Sequence, residues 1–200
     1  SPRPETPTSD RAEATRRHIL DFAAGALAEH GYRGISLNDI VRASGLTKGA
    51  FYFHFPSKEA LALAVFRDRQ EQWVARTMEA LQTKPTAFER LDAILDVGAS
   101  VYETDPSARV VGRLCTEMSP HPELASHLEV WFELIADRIR QGQAEGDIRA
   151  DVDPQTTAET LAAAFIGIEQ VSGALSGLTD IRRRIEGLRA LVRAALERSA

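Results

Sequence analysis

A chain of 200 residues with 44% apolar and 26% charged side chains can build a real core, as one large domain or as a small one plus a larger one. It has no apolar run of membrane-span length, no hydrophobic signal segment in the polar start Ser1–Asp10, and a single cysteine, Cys115, that cannot form an intrachain disulfide; this composition suits a reducing cytoplasm. The net charge of −5 excludes a broad basic face, and splitting it (+1 over residues 1–60, −6 over 61–200) leaves any nucleic-acid binding to a few well-aimed contacts.

Apolar residues recur at helical spacing almost throughout, with no strand-like alternation, so the expected fold class is all-α with about nine helices. Residues 1–10, with no initiator Met, read as a trimmed or processed flexible arm. The first helix carries Ile19, Phe22, Ala23, Ala26 and Leu27, with Asp10-x-x-Glu13 as its cap and Gly31 as its stop. Ser36-x-x-Asp39 resembles a capping box and opens a short helix through Leu37, Ile40 and Val41. Gly45 suits the left-handed residue of a tight turn, and Thr47 caps the next helix, which ends before Pro56. Ser57 caps a long helix from Lys58 to about Gln82, and Thr86-x-x-Glu89 opens one with Phe88, Leu91, Ile94, Leu95 and Val101. Asp105-Pro106 starts another, and one with Leu124, Leu128, Trp131, Ile135 and Ile139 follows Pro122. Residues 142–153 read as a helix end and loop. Asp153-Pro154 then starts a helix with Leu161, Ala164, Phe165, Ile168, Val171 and Leu175, and the last runs from about Asp180 through Ile181, Ile185, Leu188, Leu191 and Val192.

The segment from Thr47 to Lys58 crowds hydroxyl, ammonium, phenol and imidazole donors into two turns, with phenylalanines between them. A core helix has no use for those donors, and a catalytic site would want acids or a nucleophile. A surface pressed against phosphates while pinned to a small core wants this mixture. The Ser36 cap, the Gly45 turn and the donor-rich helix fall in helix-turn-helix order, with the second helix entering the major groove N-terminal end foremost. The expected DNA contacts are Ser36, Thr47, Lys48, Gly49, Tyr52, His54 and Lys58; Gly49 contributes by letting the backbone approach closely. Phe51 and Phe55 should pack inward, while Phe53 is open to either side.

Residues 11–61, through GYRGISLNDIVRASGLTKGA and TKGAFYFHFPSKEAL, resemble the N-terminal domain of TetR-family transcriptional regulators. The resemblance implies a homodimer on a palindromic double-stranded DNA operator, repressing until a small-molecule effector releases it. Val41 departs mildly, at a position where the family often has alanine. The domain division that follows is a flexible arm over 1–10, a helix-turn-helix DNA-binding domain over 11–56, and a ligand-binding and dimerisation domain over 57–200.

Residues 60–200 carry no catalytic constellation, so no enzyme activity and no cofactor are expected; His121 and His127 are six apart, the wrong spacing for a metal on one helical face. Apolar helices can instead surround a ligand cavity, for which Trp131, Leu114, Val101 and Phe165 are the candidate lining residues. Trp131 can equally be packed core, and Trp73 reads mainly as packing. The stretch GQAEGDIRADVDPQTTAETLAAAFIGIEQVSGALSGLTDIRRRIEGL resembles the C-terminal part of the γ-butyrolactone autoregulator receptors, a TetR subgroup. That implies a γ-butyrolactone or related furan or butenolide signal, with Trp131 at a pocket position. Glu169 stands where that subgroup often has glutamine, so it should face the dimer surface or the ligand should differ. The expected dimer interface is Phe165, Ile168, Ile185 and Leu188 on the last two helices, with Arg182–Arg184 beside it for solubility or ion pairing. The alternatives are a TetR-type regulator of drug efflux or lipid metabolism and, in another class, a helical protein-binding adaptor.

Overall fold

The computed structural model describes residues 7–198, and within them the expected all-helical order holds. Helix α1 spans Pro7–Gly34, α2 Leu37–Ala43, α3 Lys48–His54, α4 Lys58–Leu81 and α5 Ala87–Thr104. A 3₁₀ turn, Pro106–Arg109, leads into α6 Val110–Glu117, followed by α7 Pro122–Glu145, α8 Pro154–Ser176 and α9 Ile181–Leu196. These are nine α-helices and no strand among the described residues, apart from an isolated bridge between Ile148 and Glu197. No described helix is long and apolar enough to cross a membrane. Residues 1–6 of the expected arm lie outside the described residues. Helix α1 begins at Pro7, ahead of the Asp10 cap, because a proline fits a first helical turn, where its missing N–H has no partner to lose.

The chain forms two compact units: residues up to Arg69 with Pro106–Ser119, and Gln70–Asp105 with the residues from Pro120 on. The first unit is larger than residues 11–56. Three helices of that size bury too little apolar surface to be stable alone. The unit therefore adds the first turns of α4, contributing Leu61, Val65 and Phe66, and the 3₁₀ turn with α6, contributing Ala108, Val110 and Leu114. These join Ile19, Leu20, Leu27, Ile40, Val41, Phe51 and Phe55 in the interior. Val41 is 3% exposed, so the larger side chain at that position is fully accommodated.

Helix α6 lies along α1 and grips its C-terminal end. The Arg113 guanidinium donates to the carbonyls of Ala28 and Glu29, both at 2.9 Å, where the helix leaves acceptors unpaired. Glu117 accepts the Arg33 backbone N–H at 2.9 Å and pairs with Arg113 at 3.2 Å. Gly31 makes this possible. Its φ of 76° ends the helical run as the sequence predicts, and a Cβ there would lie 2.4 Å from Glu117 Oε1.

In the second unit α7 packs on α5 and α8, and α9 on α5 and α8. Helix α7 runs past Gly142 and ends at Gly146, whose φ is 86°. Gly142 is no terminator: a Cβ there would lie 2.6 Å from Ala87 Cβ, so the residue serves the close approach of α5. Arg90, 6% exposed, donates to the Pro85 carbonyl at 2.9 Å and pairs with Glu145 across that contact. Along α5 and α9 run Arg182–Glu103 at 2.6 Å, Arg189–Asp96 at 2.6 Å and Arg193–Asp92 at 3.3 Å. Arg183 and Arg184 both meet Asp180 at 2.8 Å, so the basic run 182–184 is occupied in ion pairs.

Candidate nucleic-acid interface and ligand cavity

Within the first unit, α2 and α3 are each set by a side-chain cap. Ser36 Oγ accepts the Asp39 N–H at 3.1 Å while the Asp39 carboxylate accepts the Ser36 N–H and hydroxyl, the capping box the sequence suggests. Those two bonds hold the Asp39 carboxyl below the usual carboxylate range. The Ser36 hydroxyl is thus engaged with an acid, and a phosphate would have to compete for it. Gly45 takes a φ of 70° at the turn, and Thr47 Oγ1 accepts the Ala50 N–H at 3.3 Å to start α3.

The aromatic residues of α3 divide cleanly. Phe51 is 0% exposed and Phe55 3%, their rings edge-to-face at 6.4 Å, so they anchor the helix. Each contributes about 1.5–3 kcal/mol by burial. Lys48, Gly49, Tyr52 and Phe53 are turned to solvent. The Tyr52 hydroxyl donates to Asn38 Oδ1 at 3.4 Å and ties α3 to its bracing helix. His54 is half-buried, its ring edge-on to Phe53 at 5.1 Å. Lys58 is drawn back, its ammonium 4.4 Å above the Tyr32 ring. Of the seven expected DNA contacts, Thr47, Lys48, Gly49, Tyr52 and His54 gather on α3 and its cap, while Ser36 and Lys58 flank it on other elements.

An open concavity of about 530 Å³ beside α3 is lined by Asn38, Val41, Arg42, Gly45, Leu46 and Lys48. Arg42, its side chain 79% exposed, and Asn38 were not expected from the sequence. The spacing did contain a signal: both fall on the polar side of α2, opposite buried Ile40 and Val41.

Within the second unit an apolar cavity lies among Trp73, Leu91, Ile94, Leu95, Trp131, Ile135, Leu161, Phe165 and Val192. Its walls are aromatic: Trp73 to Trp131 at 5.3 Å and Trp131 to Phe165 at 5.8 Å, both edge-on. Its volume is about 20 Å³, room for little more than one water. Trp131 Nε1 is buried without a hydrogen-bond partner. Of the candidate lining residues, Trp131 and Phe165 border this cavity, and Trp73 packs beside them. Val101 and Leu114 do not line it. Val101 sits half-buried on α5, and Leu114 is sealed at 0% exposure in the first unit, where the helix that carries it completes a different core. Glu169 is 7% exposed and outside the lining, so it faces neither a free surface nor this cavity.

The expected interface residues also move. Phe165, Ile185 and Leu188 are buried in the second unit's own core, and Ile168 is half-buried against it. The larger apolar side chains of α8 and α9 went inward. Their outer faces keep Ala163, Gly167, Val171, Ala174 and Leu175 on α8 and Gly187, Ala190, Leu191 and Ala194 on α9, with Leu175 73% and Leu191 70% exposed.

Residues 19–65 match the domain described as bacterial regulatory proteins, tetR family, and residues 90–196 match the tetracyclin repressor-like C-terminal domain. The chain is 33% identical over 186 residues to the A-factor receptor protein of Streptomyces griseus, covering 88% of this chain and 61% of that one. It therefore spans less than two thirds of that relative's length. A solved structure described as the molecular basis for control of antibiotic production by bacterial hormones is 36% identical, with a TM-score of 0.80, over 92% of this chain and 98% of the other. A crystal structure of a γ-butyrolactone receptor is 25% identical, with a TM-score of 0.75, over 94% of this chain and 90% of the other.

The cavity wall has one contact with no slack. A Cβ on Gly98 of α5 would lie 2.4 Å from Phe165 Cζ. Gly98→Ala should push the Phe165 ring toward Trp131 and lower stability by about 1–3 kcal/mol. Both of the chain's tryptophans line the cavity, so the substitution should also shift the intrinsic emission spectrum. A variant with unchanged emission and melting midpoint would mean that the ring retreats elsewhere.

Proposed function

The chain belongs to the TetR family of bacterial regulatory proteins, and from that premise we propose a homodimeric transcriptional repressor released from a palindromic operator by a small, largely apolar signal of the γ-butyrolactone class. The observation that carries the DNA-binding half is the outward face of α3, where Lys48, Gly49 and Tyr52 stand exposed on a helix fixed from behind by Phe51 and Phe55. Lys48 meets a phosphate or guanine O6/N7, Gly49 lets the helix lie close to the base edges, and Thr47, Tyr52 and His54 donate to phosphate oxygens. Ser36 and Lys58 flank these contacts on the backbone, and Arg42 joins them from the concavity beside Lys48.

Two recognition helices must stand roughly 34–36 Å apart, one turn of DNA, or a multiple of that. The outer faces of α8 and α9 suit the contact that sets this distance. Their small residues allow close helix approach, and Val171, Leu175 and Leu191 supply exposed apolar area for a two-fold four-helix bundle.

The cavity supports an effector with an apolar body and one acceptor. Its walls are hydrocarbon and aromatic, a charged ligand would lose its hydration there, and the unpartnered Trp131 N–H is a donor waiting for a carbonyl. A lactone has that carbonyl. The A-factor receptor and the γ-butyrolactone receptor are the relatives that favour this class over efflux or lipid regulators. Ligand pockets are typically about 300–1,000 Å³. A cavity of about 20 Å³ lies far below that range, so an effector of this class would act by preferring a more open arrangement of these walls. Helix α4 carries Lys58 at one end and Trp73 further along, so opening the cavity strains the helix on which the helix-turn-helix unit is completed.

Three outcomes follow from this reading. In fluorescence anisotropy on a selected operator, Lys48→Ala should weaken binding at least tenfold and reduce the salt slope by about one per half-site, with effector affinity unchanged. Equal affinity would remove Lys48 from the interface. Trp131→Phe keeps an aromatic wall, though a smaller one, and deletes the N–H. It should weaken a γ-butyrolactone's ability to release the operator by about 5–150-fold while leaving operator affinity alone; wild-type release would put the effector elsewhere. Leu175→Glu with Leu191→Glu should give a folded monomer in sedimentation, since substitutions at exposed sites usually cost no more than about 0.5 kcal/mol each. A persistent dimer would move the interface off α8 and α9.

A further inference from the structure

Phe53 is the most exposed large apolar side chain among the described residues, at 81%. In the first unit only Tyr52 and Phe53 are exposed in this way, and both lie on α3. Tyr52 has a polar tip bonded to Asn38; Phe53 has nothing polar to offer water. Its ring lies edge-on to His54 at 5.1 Å and 83°. One helical turn back stands Gly49, on the same face, where a Cβ would meet nothing within 4 Å. Together they form an apolar plate beside a side-chain-sized hollow, flanked by the Lys48 and Tyr52 donors.

We propose that Phe53 is a specificity-determining residue that reads the 5-methyl group of a thymine in each operator half-site. This rests on the reading of α3 as the DNA-recognition helix. In the major groove the four base pairs differ in donors and acceptors, and the thymine C5-methyl is the one apolar feature a phenyl ring can recognise. The Gly49 hollow leaves room for that methyl to reach the ring. A phenyl ring has only two side-chain torsions to fix, so contact costs it little conformational freedom. Cytosine shows an unsubstituted C5–H at this place and leaves the ring facing water; the preference is thymine over cytosine, independent of any hydrogen bond.

The test begins with duplexes selected by the full-length protein from a randomised library. Each thymine of the selected site is then replaced by deoxyuridine, which removes the methyl and nothing else. Wild-type protein should lose about fourfold in affinity per half-site at one thymine position, the worth of one buried methyl-sized group. Phe53→Ala should bind more weakly, keep the wild-type salt slope and be indifferent to uridine at that position, and Phe53→Leu should retain part of the penalty. Melting curves of both variants should match wild type, since the ring is outside the core. Wild-type tolerance of uridine at every position, or an undiminished penalty in Phe53→Ala, would overturn the proposal while leaving DNA recognition by α3 intact. If the library yields no enriched site at all, the DNA-recognition reading falls and this inference with it.

Discussion

The contact on which the first unit depends is the grip of α6 on the end of α1. A helix that stops leaves carbonyls pointing at nothing, and a three-helix DNA-binding segment has no spare side chains to satisfy them. Arg113 takes two of those carbonyls, Glu117 takes the N–H of Arg33 just beyond the break at Gly31, and the two side chains neutralise each other. Ile19, Leu20 and Leu27 of α1 share the unit's buried interior with Phe51 and Phe55, which anchor α3. Helix α6 lies far along the sequence from α1, so the part of the chain read as DNA-binding is held by a segment well outside it.

The same economy of faces explains both surfaces. On α3 and its C-cap the aromatic residues split into a buried pair, Phe51 and Phe55, that fixes the helix and an exposed pair, Tyr52 and Phe53. On α8 and α9 most of the large apolar side chains fill the core, and the outer faces keep small residues together with Val171, Leu175 and Leu191, which suits a close approach by another helix. Net charge plays little part in either. In the second unit Arg182, Arg189 and Arg193 are taken up by ion pairs along α5 and α9, and the exposed surface of α3 carries Lys48 as its one lysine or arginine.

What was legible in the sequence was local. Caps such as Ser36–Asp39, Thr47 and Thr86–Glu89 need only neighbouring residues, and they mark the helix starts correctly. The inward turn of Phe51 and Phe55 follows from the same local spacing. Gly142 shows where this reasoning fails: a glycine near a helix end reads as a terminator, yet this one admits Ala87 from another helix, a contact no local pattern encodes. Leu114 failed likewise, because an apolar residue on a short helix does not announce which core it will join. The interface residues misled in a third way. Apolar size identifies what is worth burying, and on a chain with its own core the largest residues are buried there first, which is where Phe165, Ile185 and Leu188 lie.

The closed cavity carries a consequence for how a signal acts. Two tryptophans and a phenylalanine meet edge-on around about 20 Å³, contacts each worth about 0.5–1.5 kcal/mol beyond their buried area. On the proposed reading, an effector at this site would part them and refill the space, so some of its binding energy would go into opening the unit. The measured affinity is then lower than the affinity for the open form, by the fraction of molecules already open. On the same reading, that cost would make the ligand a switch. A permanently open pocket would bind more tightly and change nothing, because a ligand with equal affinity for both arrangements shifts neither. The buried, unpartnered Trp131 N–H tilts the same balance, since it gains a hydrogen bond only when an acceptor enters.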